Sequence, residues 1–304
     1  MDTPHIPVLF DEVVDSFQDS NEGYFVDCTL GYGGHSSGVL KRYPHLKLIG
    51  IDRDDEALNF SSNRLLEFGN RVELKKGSFS QVLPTLISKP IVAMLADFGV
   101  SSLQLDKKSR GFAFDSDVLD MRMDSSASLS AYEVVNEYSK EKLEYIFKHY
   151  GEVKNYKVVA QAIINARLKS PIKSAKELSD IILSVSSKKG KIHPATLAFQ
   201  GIRIEVNDEL GEIERLLDFL ESNHTSGEIV SLITFHSLED RLVKNRFRKW
   251  QKDCICDAQA LRCSCGGNHS LGKSLYRKPI TASKKELQLN PRSRSAKLRS
   301  FRFD

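Results

Sequence analysis

Five short runs of apolar and β-branched residues constrain this chain more than any other feature. They lie at 24–29 (YFVDCT), 47–52 (KLIGID), 72–75 (VELK), 91–97 (IVAMLAD) and 228–235 (EIVSLITF). Short runs of this kind, bounded by Gly, Asp and Pro, read as strands covered on both faces. Helix-like stretches separate the first of them. Residues 36–43 follow the first strand and residues 56–68 the second, with Ala57, Leu58, Leu65 and Leu66 at helical spacing. Strand alternating with helix predicts a parallel, doubly wound α/β sheet.

The alternation then stops. From about residue 105 to 227 the pattern is almost wholly helical, at 131–149, 156–168, 175–187, 195–206 and 209–221. Ser130 and Ser174 are each followed three residues later by Glu, the spacing of a capping box. Gly151 and Gly190 sit where helices would end. The fifth strand comes only after this block. The expected architecture is one sheet domain, residues 1–105 and 207–304, interrupted by a helical domain at 106–206. Residues 275–278 and 298–303 are expected to add two late strands.

Composition removes several classes. With 304 residues, 40% hydrophobic and 28% charged, the chain can bury a large core and is no coiled coil, collagen or disordered protein. It has no apolar run long enough for a transmembrane helix, and no basic stretch leading into an apolar one near its start. Five cysteines, unevenly spread, do not suggest a secreted disulfide framework, so a cytoplasmic protein without a membrane partner is expected. The net charge of +4 hides an asymmetry. Residues 241–304 carry 17 Lys and Arg against 4 Asp and Glu, while the remaining 240 residues carry 27 against 36. A basic last quarter suggests a polyanion, nucleic acid first. The run NPRSRSAKLRSFRF at 290–303 mixes cations with aromatics, which suits phosphate contact plus base stacking, or else is a solvated basic tail.

The chemistry concentrates at strand ends. VDCTLGYGGH, at 26–35, leaves a strand and opens a helix, and Gly31, Gly33 and Gly34 let the backbone turn sharply against a ligand. Asp52 ends the next strand, 21 residues after Gly31, where a carboxylate can take both hydroxyls of a ribose. A nucleoside cofactor is therefore expected. Ser36 occupies the third glycine slot of the nicotinamide fingerprint, which disfavours NAD. Asp27 suits the cationic amino-acid end of S-adenosylmethionine. Asp97 ends the fourth strand in DFGVSS, followed by Gln104, and faces the same crevice. Phe79 would lie beside the adenine, or else be a core aromatic. Asp97 could instead cap a helix.

These segments together resemble a known family. HIPVLFDEVV (5–14), DCTLGYGGHS (27–36), IGIDRD (49–54), ADFGVSSLQLD (96–106), RGFAF (110–114), LDMRMD (119–124), HPATLAFQGIRIEVNDEL (193–210), TFHSLEDRLVK (234–244) and NPRSRSAKLR (290–299) are similar to the RsmH (MraW) family. Those are bacterial S-adenosylmethionine-dependent 16S rRNA cytosine-N4 methyltransferases. The resemblance runs nearly the whole chain. It implies a class I (Rossmann-like) methyltransferase sheet with an inserted helical domain concerned with the substrate. It also implies a cytidine in the P-site region of the small ribosomal subunit as target, with a homodimer as a candidate assembly. By the family's motif the cofactor would contact Gly33, Gly34, His35, Asp52, Phe79, Asp97 and Gln104. Phe98, where many members have Leu, and Arg53 depart from the common pattern.

The implied reaction needs an acceptor for the hydrogens of a poorly nucleophilic amine. Asp97 is the candidate, with Ser101 and Ser102 shaping the pocket. His236 and Ser237 follow the fifth strand and read as substrate-side residues, or as the capped start of a helix at 236–244. The competing reading is a non-catalytic RNA-binding ribosome assembly factor that keeps the fold. Cys254, Cys256, Cys263 and Cys265 form a C-x-C-x6-C-x-C array that could hold zinc. C-x-C strains a shared tetrahedron, so unbridged or oxidation-sensitive thiols in an RNA-facing loop are the preferred reading, with no metal. Cys28 reads as core packing.

Overall fold

The computed structural model describes residues 6–186, 193–257, 259–260 and 262–304, with the backbone alone for Ser102 and Leu103. His5 and Gly190 lie outside the described residues, as does the end of the helix expected at 175–187. The chain divides into two compact units, Met1–Gly99 with Gly211–Asp304, and Val100–Leu210.

The first unit is built on seven strands: β1 (Gly23–Asp27), β2 (Leu46–Asp52), β3 (Val72–Lys76), β4 (Ile91–Asp97), β5 (Ile229–Thr234), β6 (Gly272–Ser274) and β7 (Lys297–Phe303). Their order is β3-β2-β1-β4-β5-β7-β6. The first five run parallel, and β7 lies antiparallel between β5 and β6. Successive side chains enter opposite cores, as the two-residue period of a strand requires. Phe25, Leu48, Leu95, Ile233 and Leu298 pack on one face, and Val26, Ile49, Met94, Leu232 and Phe301 on the other. The helices follow from that double burial. On the first face sit α1 (Phe10–Asp15), α2 (Gly34–Arg42) and α3 (Asp55–Arg64). On the second sit α4 (Phe79–Val82), α11 (Glu209–Asn223) through Ile213, Leu216 and Leu220, and α12 (Ser237–Trp250) through Val243, Phe247 and Trp250. A short α13 (Lys284–Leu289) precedes β7.

One late strand differs from expectation. Residues 275–278 form no strand, although Leu275 N still donates to Ser300 O (2.9 Å); the edge strand is β6, three residues earlier. Its residues, Gly-Lys-Ser, have no apolar pattern to betray it. Gly272 is required there, because a Cβ would come within 2.0 Å of the Arg302 carbonyl oxygen.

The second unit is helical: α5 (Ser102–Asp106), α6 (Ala131–Glu137), α7 (Lys140–His149), α8 (Tyr156–Arg167), α9 (Ala175–Ser184) and α10 (Thr196–Asn207). It has its own core of Val134, Leu143, Ile146, Phe147, Val159, Ile163, Leu178, Ile182 and Ile202. Ser130 and Ser174 cap α6 and α9 in capping boxes with Glu133 and Glu177. The single helix expected over 131–149 is two helices. Tyr138 is extended, and the Ser139 hydroxyl accepts from Lys142 N (3.3 Å) to start α7 afresh. Carbonyls freed at the break are taken by Arg167, which donates to Val135 O (2.8 Å) and Tyr138 O (2.7 Å). Apolar periodicity carries across the break because both helices bury a face in the same core.

Candidate active site

The carboxyl ends of β1, β2 and β4 carry Asp27, Asp52 and Asp97, and the glycine turn joins them. Gly31 and Gly33 have φ of 51° and 68°, the left-handed region that glycine enters without strain. The Asp52 carboxylate spans the turn: it accepts from Gly31 N (2.7 Å) on one oxygen and Asp54 N (2.9 Å) on the other. Asp27 is buried and accepts from Ser36 Oγ (2.6 Å) and Thr29 N (3.2 Å). Thr29 Oγ1 in turn accepts from Asp97 N at 2.6 Å, tying the end of β4 to the turn after β1. Sequence reasoning does not single out Ser36 and Thr29 as site residues. The signal for Ser36 is its place in the third glycine slot: a hydroxyl there holds the buried Asp27.

The electrostatics of this edge are unusual. Burial lifts the Asp27 carboxyl from 3.8 to about 6, although the Ser36 and Thr29 hydrogen bonds pull it down. Burial likewise raises Asp52, against the amides it accepts from. Asp97 is raised well above the usual carboxylate range, by burial first and then by the charges of Asp27 and Glu239. Its Oδ1 is buried with no hydrogen-bond partner among the described residues. Acids that destabilise one another's ionised forms, with one oxygen left unsatisfied, suit a cationic ligand that donates hydrogen bonds. An ammonium and sulfonium bearing cofactor fits that chemistry.

The other expected residues divide. Gly34 opens α2, but its lack of a side chain is needed for packing: a Cβ would stand 2.4 Å from Pro7. The His35 ring has its Nε2 2.8 Å from Val8 O and its plane stacked on Phe10. Phe79 is 7% exposed and belongs to the core, with Phe98 at 6.4 Å and Arg53 over its ring at 5.9 Å. Arg53 also pairs with Glu212 at 2.9 Å. Asp97 caps no helix; it ends β4. His236 is the N-cap residue of α12, with Nε2 3.1 Å from Glu239 Oε1. Glu239, fully buried, accepts from Phe235 N at 2.7 Å, and sequence reasoning misses it. Cys28 is buried in the sheet core.

Ser101 and Gln104 belong to the helical unit. Ser101 Oγ accepts from Gln104 N (3.3 Å) while Gln104 Oε1 accepts from Ser101 N (3.0 Å). That reciprocal pair starts α5 and engages both side chains; the Ser102 side chain lies outside the described residues. The basic terminal run needs correction. Phe301 and Phe303 cannot stack on bases, because both are fully buried against Phe247 and Trp250. Arg299 and Lys297 are held by Asp240, at 2.8 and 3.2 Å. Exposed cations remain at Lys273, Arg277, Lys278, Lys284, Lys285, Arg292 and Arg294. The four clustered cysteines come together on the excursion after α12.

Five parallel strands, an antiparallel β7 inserted beside β5, and a glycine turn facing acids at the ends of β1, β2 and β4 define a Rossmann-like methyltransferase. The chain is 70% identical to the ribosomal RNA small subunit methyltransferase H of Sulfurovum sp. (strain NBC37-1), covering 100% of this chain and 99% of that one. The same-named protein of Aliarcobacter butzleri (strain RM4018) is 57% identical over the whole of both. An rRNA methylase structure from Streptococcus thermophilus aligns at 12% identity over 97% of this chain and 93% of that one. Its TM-score is 0.39. The chain belongs to the MraW methylase family, whose family model matches residues 2–304. Its methyl donor is S-adenosylmethionine. Among the described residues no helix is long and apolar enough to cross a membrane.

Proposed function

We propose that this chain methylates small-subunit ribosomal RNA at the exocyclic N4 of a cytidine in the P-site region. The observation that carries the reading is Asp97 Oδ1, buried and unpartnered among the described residues at the end of β4. The relatives' names supply the ribosomal RNA.

S-adenosylmethionine, when bound, supplies an electrophilic methyl group on a sulfonium. The protein's task is to orient the attacking amine. The lone pair of a cytosine amine is delocalised into the ring, so the amine must be held close and its hydrogens given an acceptor as positive charge develops. Asp97 is that acceptor. Burial makes its charge costly in the resting protein, so it gains most when a cation forms beside it. Asp52, with the amides of Gly34 and His35, holds the nucleoside end, the Gly33 amide being donated to Leu30 O at 2.7 Å; Asp27 holds the ammonium. The helical unit and the exposed cations from Lys273 to Arg294 hold RNA, and the target base leaves its stack to react. The substrate is in the cytoplasm with the ribosome.

The test is methyl incorporation from labelled S-adenosylmethionine into small subunits from a strain lacking the gene, with the modified nucleotide mapped. Label at one cytidine N4, lost by about 100-fold or more in a folded Asp97→Ala variant, is the expected result. Label on another base, or full activity of that variant, refutes it. Tight particle binding with no transfer by the wild type would instead favour a non-catalytic assembly factor.

A further inference from the structure

Between α12 and β6 the chain makes an excursion. Its base is closed by Leu271 N donating to Trp250 O (2.7 Å) and His269 N donating to Asp253 O (3.1 Å). None of the described residues from 251 to 270 is buried, and Ile255 is 63% exposed. The described residues supply no apolar core to hold one shape, so the excursion calls for a staple. What it gathers at its centre is sulfur. The Sγ atoms of Cys254, Cys263 and Cys265 form a triangle with every side 3.6 Å. Cys256 completes a group in which all four sulfurs lie within 4.8 Å of one another.

None of the four is in a disulfide, whose sulfurs would be about 2.05 Å apart. Four thiolates about 2.3 Å from one zinc ion stand about 3.8 Å from each other, close to the spacing seen here. A polynuclear iron–sulfur cluster needs its cysteines spread around several iron atoms, which so tight a group does not allow. The C-x-C spacing is no obstacle, since Cys263 and Cys265 already span one such edge at 3.6 Å. The backbone also engages the cluster: Ser264 N donates to Cys256 Sγ at 3.2 Å. Gly266, Gly267 and Asn268 take φ of 82°, 75° and 60°, a left-handed run that reverses the chain directly after Cys265.

We propose that Cys254, Cys256, Cys263 and Cys265 bind one Zn2+ in a closed, four-thiolate structural site that fixes the excursion between α12 and β6. Four sulfur ligands leave no open position, so the ion is structural rather than catalytic. Binding releases the thiol protons to solvent and moves no electrons. The site stands apart from the glycine turn and does not depend on the function proposed above.

The experiment uses the full-length, untagged chain, purified under reductant without chelator. Elemental analysis should find about one equivalent of zinc per chain. A Cys263→Ser/Cys265→Ser double variant should retain less than about a tenth of that, with unchanged far-ultraviolet dichroism. Cobalt exchanged into the wild type should show thiolate-to-cobalt charge transfer and tetrahedral d–d bands. Stripping the metal should speed tryptic cleavage at Lys252 and Arg262. Mercurial release of zinc from the folded wild type, read with a colorimetric chelator, gives the answer even if the variant does not fold. The proposal is overturned if wild type dialysed against zinc retains none after washing. Two disulfides among these cysteines in the reduced preparation would overturn it too.

Discussion

Replacing Asp27 by Asn should make the protein more stable and less able to bind its cofactor, by amounts the structure sets. Asp27 is 2% exposed, and burial lifts its carboxyl from 3.8 to about 6. Because the folded value lies above the unfolded one, its contribution to stability is whole below pH 3.8 and is lost as pH rises through about 6. The full loss is about 3 kcal/mol, and about 2 kcal/mol of it falls between about pH 4.5 and about pH 8. Asn is nearly the same shape and can stay satisfied: its oxygen accepts from Thr29 N, and its amide donates to Ser36 Oγ. Asn cannot ionise, so the loss disappears. Glu228, raised to about 7 by burial, titrates in both proteins and cancels in the comparison. The assay is urea unfolding followed by tryptophan fluorescence. Trp250 is the chain's single tryptophan and is 1% exposed in the sheet core, so the signal reports that unit alone. The gap in urea midpoint between variant and wild type should widen by about 1 M from about pH 4.5 to about pH 8. Calorimetry at about pH 8 should show S-adenosylmethionine binding about 10- to 100-fold more weakly to the variant. A gap independent of pH would refute the buried-charge argument, and equal affinity would refute the role given to Asp27.

Phe301→Ala should destabilise the sheet unit by about 3–5 kcal/mol in the same fluorescence assay, since the ring is fully buried against Trp250 at 5.3 Å and Phe303 at 5.0 Å. Ser139→Ala removes the cap that restarts α7 and should cost the helical unit about 1 kcal/mol. Faster hydrogen exchange at the first amides of α7 would show it. Arg277→Ala with Lys278→Ala should weaken RNA binding and flatten its salt dependence by about 0.7–0.9 for each phosphate these cations neutralise. An unchanged slope would remove both from the interface.

The parallel sheet was legible because its inner strands are buried on both faces. Runs such as 91–97 are therefore almost wholly apolar, and turn residues mark their ends. The acids at the strand ends were legible for a related reason: a carboxylate beside a buried strand has little other purpose. Elements held by the backbone or by sharing left no such mark. Strand β6 owes its place to β7, not to its own side chains, and the break at Tyr138 hides in a periodicity common to two helices. His35 and Phe79 show the limit at the site. Each stands where the family's motif implies cofactor contact, and each also has a packing role that the motif does not reveal: one ring bonds Val8 O and the other joins the core. Phe301 and Phe303 misled most, since an alternation of cations and aromatics serves a nucleic-acid surface and a buried strand equally well.

Strand β7 has a consequence for synthesis. It occupies an inner place in the sheet although it comes 297 residues into the chain, and β5 has no partner on that side until β7 arrives. A ribosome making this protein holds an unfinished sheet, with an open apolar edge, until β7 has been made. A message cut before β7 would leave a sticky product rather than a weakened enzyme, fit for degradation and unable to occupy its substrate unproductively.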